Sequence, residues 1–118
     1  MYDGRVIVRF EIDLEPVGGA PELDRLTAGE RAYCEARAHP AMLAAARVAA
    51  KRAVLRALGL APEDRWALVE VERDALGRPS ARLHGEAAGA FDRSGARSIH
   101  LTLTHTATHA AAAVLLED

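Results

Sequence analysis

Four groups of residues in this chain are of types that could do chemistry. Asp13 is an acid near the end of an alternating stretch, where side chains often reach a ligand; the plainer reading is a solvent-facing strand residue or a turn acid. Arg47, Lys51, Arg52 and Arg56 are cations on one helical stretch. Gly77-Arg78-Pro79 is a turn carrying a base, and Leu103-Thr104-His105 ends a strand with a histidine. At 100° per residue Leu43, Val48, Val54, Leu55 and Leu58 share one broad arc. Arg47 and Lys51 fall inside that arc, while Arg52 and Arg56 sit at its edge, one turn apart. Cations on an apolar arc are costly without an anion. Two readings follow: Arg47 and Lys51 snorkel or pair with a carboxylate of the chain, or the helix forms a pocket wall for phosphate.

Other chemistries are poorly served. His100, His105 and His109 are spread over a strand, a turn and the next segment, and no cysteine or clustered carboxylate joins them, so a zinc site lacks a ligand pattern. There is no nucleophile elbow, and Gly18-Gly19 and Gly77 form no phosphate-loop motif.

The elements that must position these residues read as follows. Residues 5–14 alternate, with Val6, Val8, Phe10, Ile12 and Leu14 on one side and Ile7, Arg9, Glu11 and Asp13 on the other, the pattern of a half-buried strand. Glu15 to Pro21, with two prolines and two glycines, reads as a loop. Thr27 and Glu30 form a capping-box pair opening a helix to about Ala38, carrying Tyr33 and an inert packing residue, Cys34. His39-Pro40 breaks it and leaves His39 as a solvated loop histidine. A long alanine-rich helix then runs from Pro40 to a left-handed cap at Gly59. Trp66 to Glu72 and Ser80 to Leu83 form a hairpin about the Asp74–Pro79 turn. Gly85 to Arg93 is a short helix with Phe91 inward. In the strand Ser98 to His105, Ile99, Leu101 and Leu103 face the core. The run His109 to Leu116 is a strand or a helix, strand being favoured because the sheet needs a partner. The fold class is α+β: one domain over residues 1–118, a small mostly antiparallel sheet and one long helix.

The chain has 118 residues, half of them hydrophobic but only 4% aromatic, a thin core for its length, so burial at a subunit interface is plausible. A net charge of −2 and the lack of a basic tail speak against nucleic acid. The single cysteine excludes an internal disulfide. Neither a secretory signal nor a membrane-length apolar run is present, and the expected location is cytoplasmic.

In this order and at these spacings the chain resembles the holo-acyl-carrier-protein synthase family of phosphopantetheinyl transferases over nearly its whole length. The carriers are Glu11-Ile-Asp-Leu14; Leu26-Thr27 with Glu30 and Tyr33-Cys34; Arg47-Val-Ala-Ala-Lys51 through Ala57-Leu-Gly59; Asp74-Ala-Leu-Gly-Arg-Pro79; and Leu101-Thr-Leu-Thr-His105 before the alanine-rich last strand. The resemblance implies a trimer with coenzyme A at subunit interfaces, and magnesium-assisted transfer of the phosphopantetheine arm to a serine of an acyl or peptidyl carrier protein. It implies that Asp13 binds the metal and that Lys51 is the helix-signature lysine, both catalytic. Arg56 stands where a lysine contacts coenzyme A phosphate, Gly77, Arg78 and Pro79 lie near the nucleotide, and His105, with Thr104, lies near the 3′-phosphate. Arg47 and Arg52 join this cofactor-binding set. Such transfer needs charge stabilisation and in-line positioning more than covalent help.

Three departures accompany the resemblance. Arg52 stands where the family signature has the second metal-binding glutamate. Arg9 and Glu11 replace two glycines of the first strand. Leu14 to Asp24 lacks the basic carrier-docking character. Two functional readings result. One is an active, divergent transferase, with Arg52 supplying part of the metal's charge or magnesium held on Asp13 and phosphate alone. The other is a catalytically impaired relative that binds coenzyme A or a carrier protein, as a homotrimer or in a mixed complex with a homologue, in fatty-acid or polyketide biosynthesis. A different chemistry on a pantetheine-linked substrate is a third.

Overall fold

The structure, a computed structural model, describes residues 5–18 and 22–118. Gly19, Ala20 and Pro21 of the expected loop lie outside the described residues. The elements run β1 (Ile7–Pro16), α1 (Glu22–Arg25), α2 (Ala28–Glu35), α3 (Pro40–Ala57), β2 (Val69–Arg73), β3 (Pro79–Leu83), α4 (Gly85–Ser94), β4 (Ser98–His105) and β5 (His109–Glu117). The sheet is two units: a three-stranded antiparallel sheet ordered β1-β5-β4, and the β2-β3 hairpin.

α3 forms where expected. Pro40 occupies its first turn, and the chain leaves it through Gly59 at φ +77°, a conformation that costs glycine little. His39, exposed at the α3 N-cap, is itself left-handed at φ 59°. The helix is buried nearly all round, from Ala44 through Lys51 and again at Ala53, Val54, Leu55 and Ala57. A helix packed against the sheet on one side and against other elements elsewhere has no single apolar stripe. Its alanines let it lie close on β5, where Ala45 and Ala46 pack with Ala110. The main core gathers Val54 and Leu55 with Val69, Val71, Leu101, Val114 and Leu116. β5 is a strand, and its need for partners is met on both edges, by β1 and β4. Burial alternates along it: Ala110, Ala112, Val114 and Leu116 are buried under α3.

Several boundaries differ from the sequence reading. β1 continues through Glu15 and Pro16 instead of ending at residue 14; as an edge strand it needs no ladder N–H from a terminal proline. α2 stops at Glu35, short of Ala38, and a one-turn α1 precedes it. Trp66–Leu68 is a 3-10 turn, so β2 starts at Val69.

The larger correction concerns which face of β1 is covered. After a register shift between Ile7 and Arg9 its alternation holds from Phe10 on, but the apolar row is the uncovered one: Phe10, Ile12 and Leu14 are 53%, 58% and 61% exposed. The polar row lies on the α3 side. Directly paired antiparallel residues share a face, and Glu11, Asp13 and Glu15 pair with Val114, Ala112 and Ala110, which are buried under the helix.

Candidate active site

That reversal puts two acids of β1 against two bases of α3. Arg52 and Arg56 are four residues apart and so lie on one helix face. Arg52 donates from Nη2 to Glu15 Oε1 at 2.6 Å, and from Nη1 to Asp13 Oδ1 at 3.3 Å and the Leu14 carbonyl at 3.2 Å. Arg56 Nη1 donates to Asp13 Oδ2 at 2.9 Å. Arg25 approaches Glu15 at 3.8 Å, and the indole of Trp66 lies 4.9 Å from the Arg25 guanidinium and 5.7 Å from that of Arg52. Burial works against the charge of Arg52, but the hydrogen bond to Glu15 and the charge of Asp13 outweigh it and hold its pKa above the ordinary value. Three cations here face two carboxylates.

Lys51, next in sequence, points elsewhere. Its Nζ is fully buried and donates to Glu30 Oε1 at 2.6 Å. Glu30 is also the capping-box acid: it accepts from Thr27 N at 2.8 Å and from Val71 N at 2.7 Å. Thr27 Oγ1 in turn accepts from Glu30 N and donates to Glu70. One carboxylate thus ties α2, α3 and β2 together. Desolvation pushes the Lys51 pKa down, against the opposing pull of Glu30. For Lys51 the pairing reading holds.

For Arg47 it does not. Its guanidinium is buried and lies 4.0 Å from the ring of Tyr33, with one long bond, 3.4 Å, to the Leu43 carbonyl; its Nε has no partner. Arg37 lies over the same ring at 3.5 Å. Arg73, whose positive charge acts on the Tyr33 hydroxyl, donates from Nη1 to the Gly77 carbonyl. None of these three arginines forms an ion pair among the described residues. Burial raises the Tyr33 pKa, but the hydrogen bond and charge of Arg73, the charge of Arg37 and the bond from Arg47 bring it below its usual 10.0. Arg73 also joins this cluster to the expected nucleotide turn. In that turn Asp74 accepts from the backbone of Leu76 and Arg78 and from Arg78 Nε, and Gly77 takes φ +80°.

Thr104 and His105 are exposed at the end of β4, opposite Ala111 and Ala110. The register puts His105 in one row across the sheet with Ala110 and Glu15, about 10 Å from Glu15 by strand spacing. His100 is spent on Glu117 and Ser98, and His109 on Thr108.

The expected site residues therefore fall into separate places. Asp13, Arg52 and Arg56 come together; Arg47 lies against Tyr33, while the Gly77–Pro79 turn is bonded by Arg73; Lys51 is enclosed with Glu30; Thr104 and His105 stand at the sheet end. Glu15, Arg25, Tyr33, Arg37 and Arg73 were not singled out as site residues. Glu15 had a signal, since it lies two residues past Asp13 and hence on the same strand face, but the proline after it read as a break.

The residues around Asp13 do not suit a magnesium ion, which wants carboxylate, phosphate and water oxygens in an octahedron. Both Asp13 oxygens are taken by guanidinium groups. Position 52 offers a cation instead of a ligand.

Fold and site together define an antiparallel α+β domain with cations gathered on a long helix and at a hairpin turn, and comparison with known proteins gives the family. The chain is 52% identical over 88 residues to a holo-(acyl-carrier-protein) synthase of Anaeromyxobacter sp. (strain K), covering 75% of this chain and 68% of that one. It is 42% identical over 121 residues to the holo-(acyl-carrier-protein) synthase of Nocardia farcinica, covering 95% and 81%. No family model matches. Among solved structures it resembles a holo-(acyl-carrier-protein) synthase from Bacillus anthracis in complex with CoA (3′,5′-ADP), at TM-score 0.72 and 27% identity over 95% and 97% of the two chains. The chain belongs to the holo-acyl-carrier-protein synthase family.

Proposed function

We propose that this chain moves the 4′-phosphopantetheine arm of coenzyme A onto a serine of an acyl carrier protein. The observation that carries the reading is the group Arg37, Arg47 and Arg73 about Tyr33: three cations without a carboxylate, one with an orphaned buried Nε, beside the Gly77–Pro79 turn. The buried Arg47 calls for an anion, the exposed Arg37 and Arg73 add positive charge beside it, and coenzyme A carries three phosphates. In this reading Arg47, Gly77, Arg78 and Pro79, with Thr104 and His105, receive the nucleotide end, and Arg52 and Arg56 receive the diphosphate.

The serine oxygen bonds to the phosphorus that carries the pantetheine arm. The bond from that phosphorus to the bridging oxygen breaks, 3′,5′-ADP leaves with the electron pair, and the serine proton passes to solvent water. Arg52 and Arg56 stabilise charge building on the leaving oxygen. Asp13 aims both guanidiniums. Lys51, enclosed with Glu30, positions α3 beneath them. No step runs through magnesium. Three copies of the chain, covering each other's Phe10-Ile12-Leu14 rows, form the assembly, with coenzyme A between copies. Supporting this are the exposed apolar row and the family to which the chain belongs.

The test is intact mass of several apo carrier proteins after incubation with this protein and coenzyme A. The expected result is one added phosphopantetheine per carrier. Coenzyme A binding without modification of any carrier would overturn the transferase reading. It would favour the second one, which Arg52 supports: a relative that binds coenzyme A or a carrier, alone or in a mixed complex with a homologue. No helix among the described residues is long and apolar enough to cross a membrane. In this reading the chain meets its carrier in the cytoplasm.

A further inference from the structure

The exchange at position 52 extends beyond one residue. Arg52 is not a stray surface base: its side chain is 15% exposed and is held by three acceptors, all from Asp13, Leu14 and Glu15 at the end of β1. Glu15, itself buried at 7%, supplies the shortest of these, 2.6 Å. A buried carboxylate that accepts a guanidinium at this distance is a built counterpart, because either charge alone would be costly there. Arg56 adds a second cation on the other oxygen of Asp13. It is half exposed and spends one N–H on Asp13, and with five N–H donors it keeps four for an anion. Together the two guanidiniums carry the charge of one divalent ion, at the acid where such an ion would sit.

We propose that Arg52, anchored by Glu15 and working with Arg56, is this chain's built-in replacement for the divalent cation at a bound diphosphate, so that it engages coenzyme A without metal. The inference rests on the reading of the chain as a coenzyme A-dependent transferase. Arginine suits this role, because its planar fork hydrogen-bonds phosphate oxygens in pairs and does not shed its proton. A divalent ion entering at Asp13 would have to displace both guanidiniums and then lie beside them, with like charges a few ångströms apart.

The test is titration calorimetry of the native full chain with coenzyme A, in EDTA and again in millimolar magnesium, with direct titration of magnesium into the protein alone. The expected dissociation constants in the two buffers agree within twofold, and magnesium alone gives no binding heat. The Arg52→Glu variant, with its third carboxylate beside Asp13 and Glu15, binds coenzyme A at least tenfold more weakly in EDTA and recovers when magnesium is added. Native binding that vanishes in EDTA and returns with magnesium overturns the inference and leaves the transferase reading standing. Failure of the native chain to bind coenzyme A in either buffer overturns both. Should Arg52→Glu not fold, the native comparison alone decides, and Arg52→Gln, neutral and shorter, is expected to weaken binding equally with and without magnesium.

Discussion

The buried pair Lys51–Glu30 makes a quantitative prediction. Both side chains are fully buried, and Glu30 answers three donors: the Lys51 ammonium and the backbone N–H groups of Thr27 and Val71. Replacing Glu30 by Gln keeps the volume and an acceptor but leaves an ammonium in the core with no counter-charge. Replacing Lys51 by Met leaves a buried carboxylate with two backbone donors. Removing one partner of a buried pair costs about 3–5 kcal/mol, a large part of the roughly 5–15 kcal/mol that holds a domain folded. The double variant Glu30→Gln with Lys51→Met loses both charges and keeps an acceptor for one N–H. It should therefore recover at least half of the worse single loss, which with single losses of about 3–5 kcal/mol means a coupling energy of about 4 kcal/mol or more.

The assay is urea unfolding followed by circular dichroism, at fixed protomer concentration because assembly contributes to apparent stability. The pH dependence has a definite sign. Desolvation, the largest influence on Lys51, lowers its pKa in the folded state. Between that lowered value and the ordinary 10.5 the unfolded chain binds more protons, so stability rises with pH there. In Glu30→Gln the opposing pull of the carboxylate is gone, the window widens downward, and the variant's deficit shrinks as pH rises toward the ordinary 10.5. Single losses below about 1 kcal/mol, or strictly additive effects, would refute the view that this pair locks α2, α3 and β2 together.

Three further outcomes are expected. Tyr33 titrates below 10.0 by its phenolate absorbance in a Tyr2→Phe background, because Arg73, Arg37 and Arg47 outweigh its burial; its contribution to stability is gained as pH rises through that lowered value toward the ordinary one, and Arg73→Met shifts the midpoint up. Phe10→Lys combined with Ile12→Lys converts the assembly to monomer in sedimentation velocity, while a native chain that sediments as a monomer would refute the trimer. Gly77→Ala meets no atom within 4 Å but must hold φ +80°, so it costs about 1 kcal/mol, measured by thermal unfolding, and weakens coenzyme A binding through the turn.

Local rules carried much of the fold because the relevant residues are close in sequence. The Thr27–Glu30 capping box, Pro40 at the start of α3, Gly59 at its end and the alternation of β4 each depend on a few neighbours, and each is found where those neighbours put it. The misread places depend on distant partners. Glu15-Pro16 stays in β1 because β5 pairs with it. Tyr33 and Arg37 are four residues apart and meet locally, but Arg47 and Arg73 join them only when α3 and the hairpin are brought against α2, which no spacing in the sequence announces. The split between Lys51, which found a carboxylate, and Arg47, which found none, was not visible from a helical wheel that put both on one arc.

The reversed face of β1 shows where a periodic pattern stops being informative. Period-two alternation fixes which residues travel together but not which set is covered, and hydrophobicity is the usual arbiter. Here it points the wrong way for a single chain. The polar row lies under α3 because Asp13 and Glu15 meet Arg52 and Arg56 there, and the pairing offsets the desolvation that would otherwise expel them. With that face committed, the valine-phenylalanine-isoleucine-leucine row has only the outside left. Reversing the charge at position 52 alone would set three carboxylates against each other with Arg25 and Arg56 as counter-charges. The Asp13–Glu15–Arg52–Arg56 cluster and the apolar face left open are thus two sides of the same strand, and a change to one is expected to register on the other.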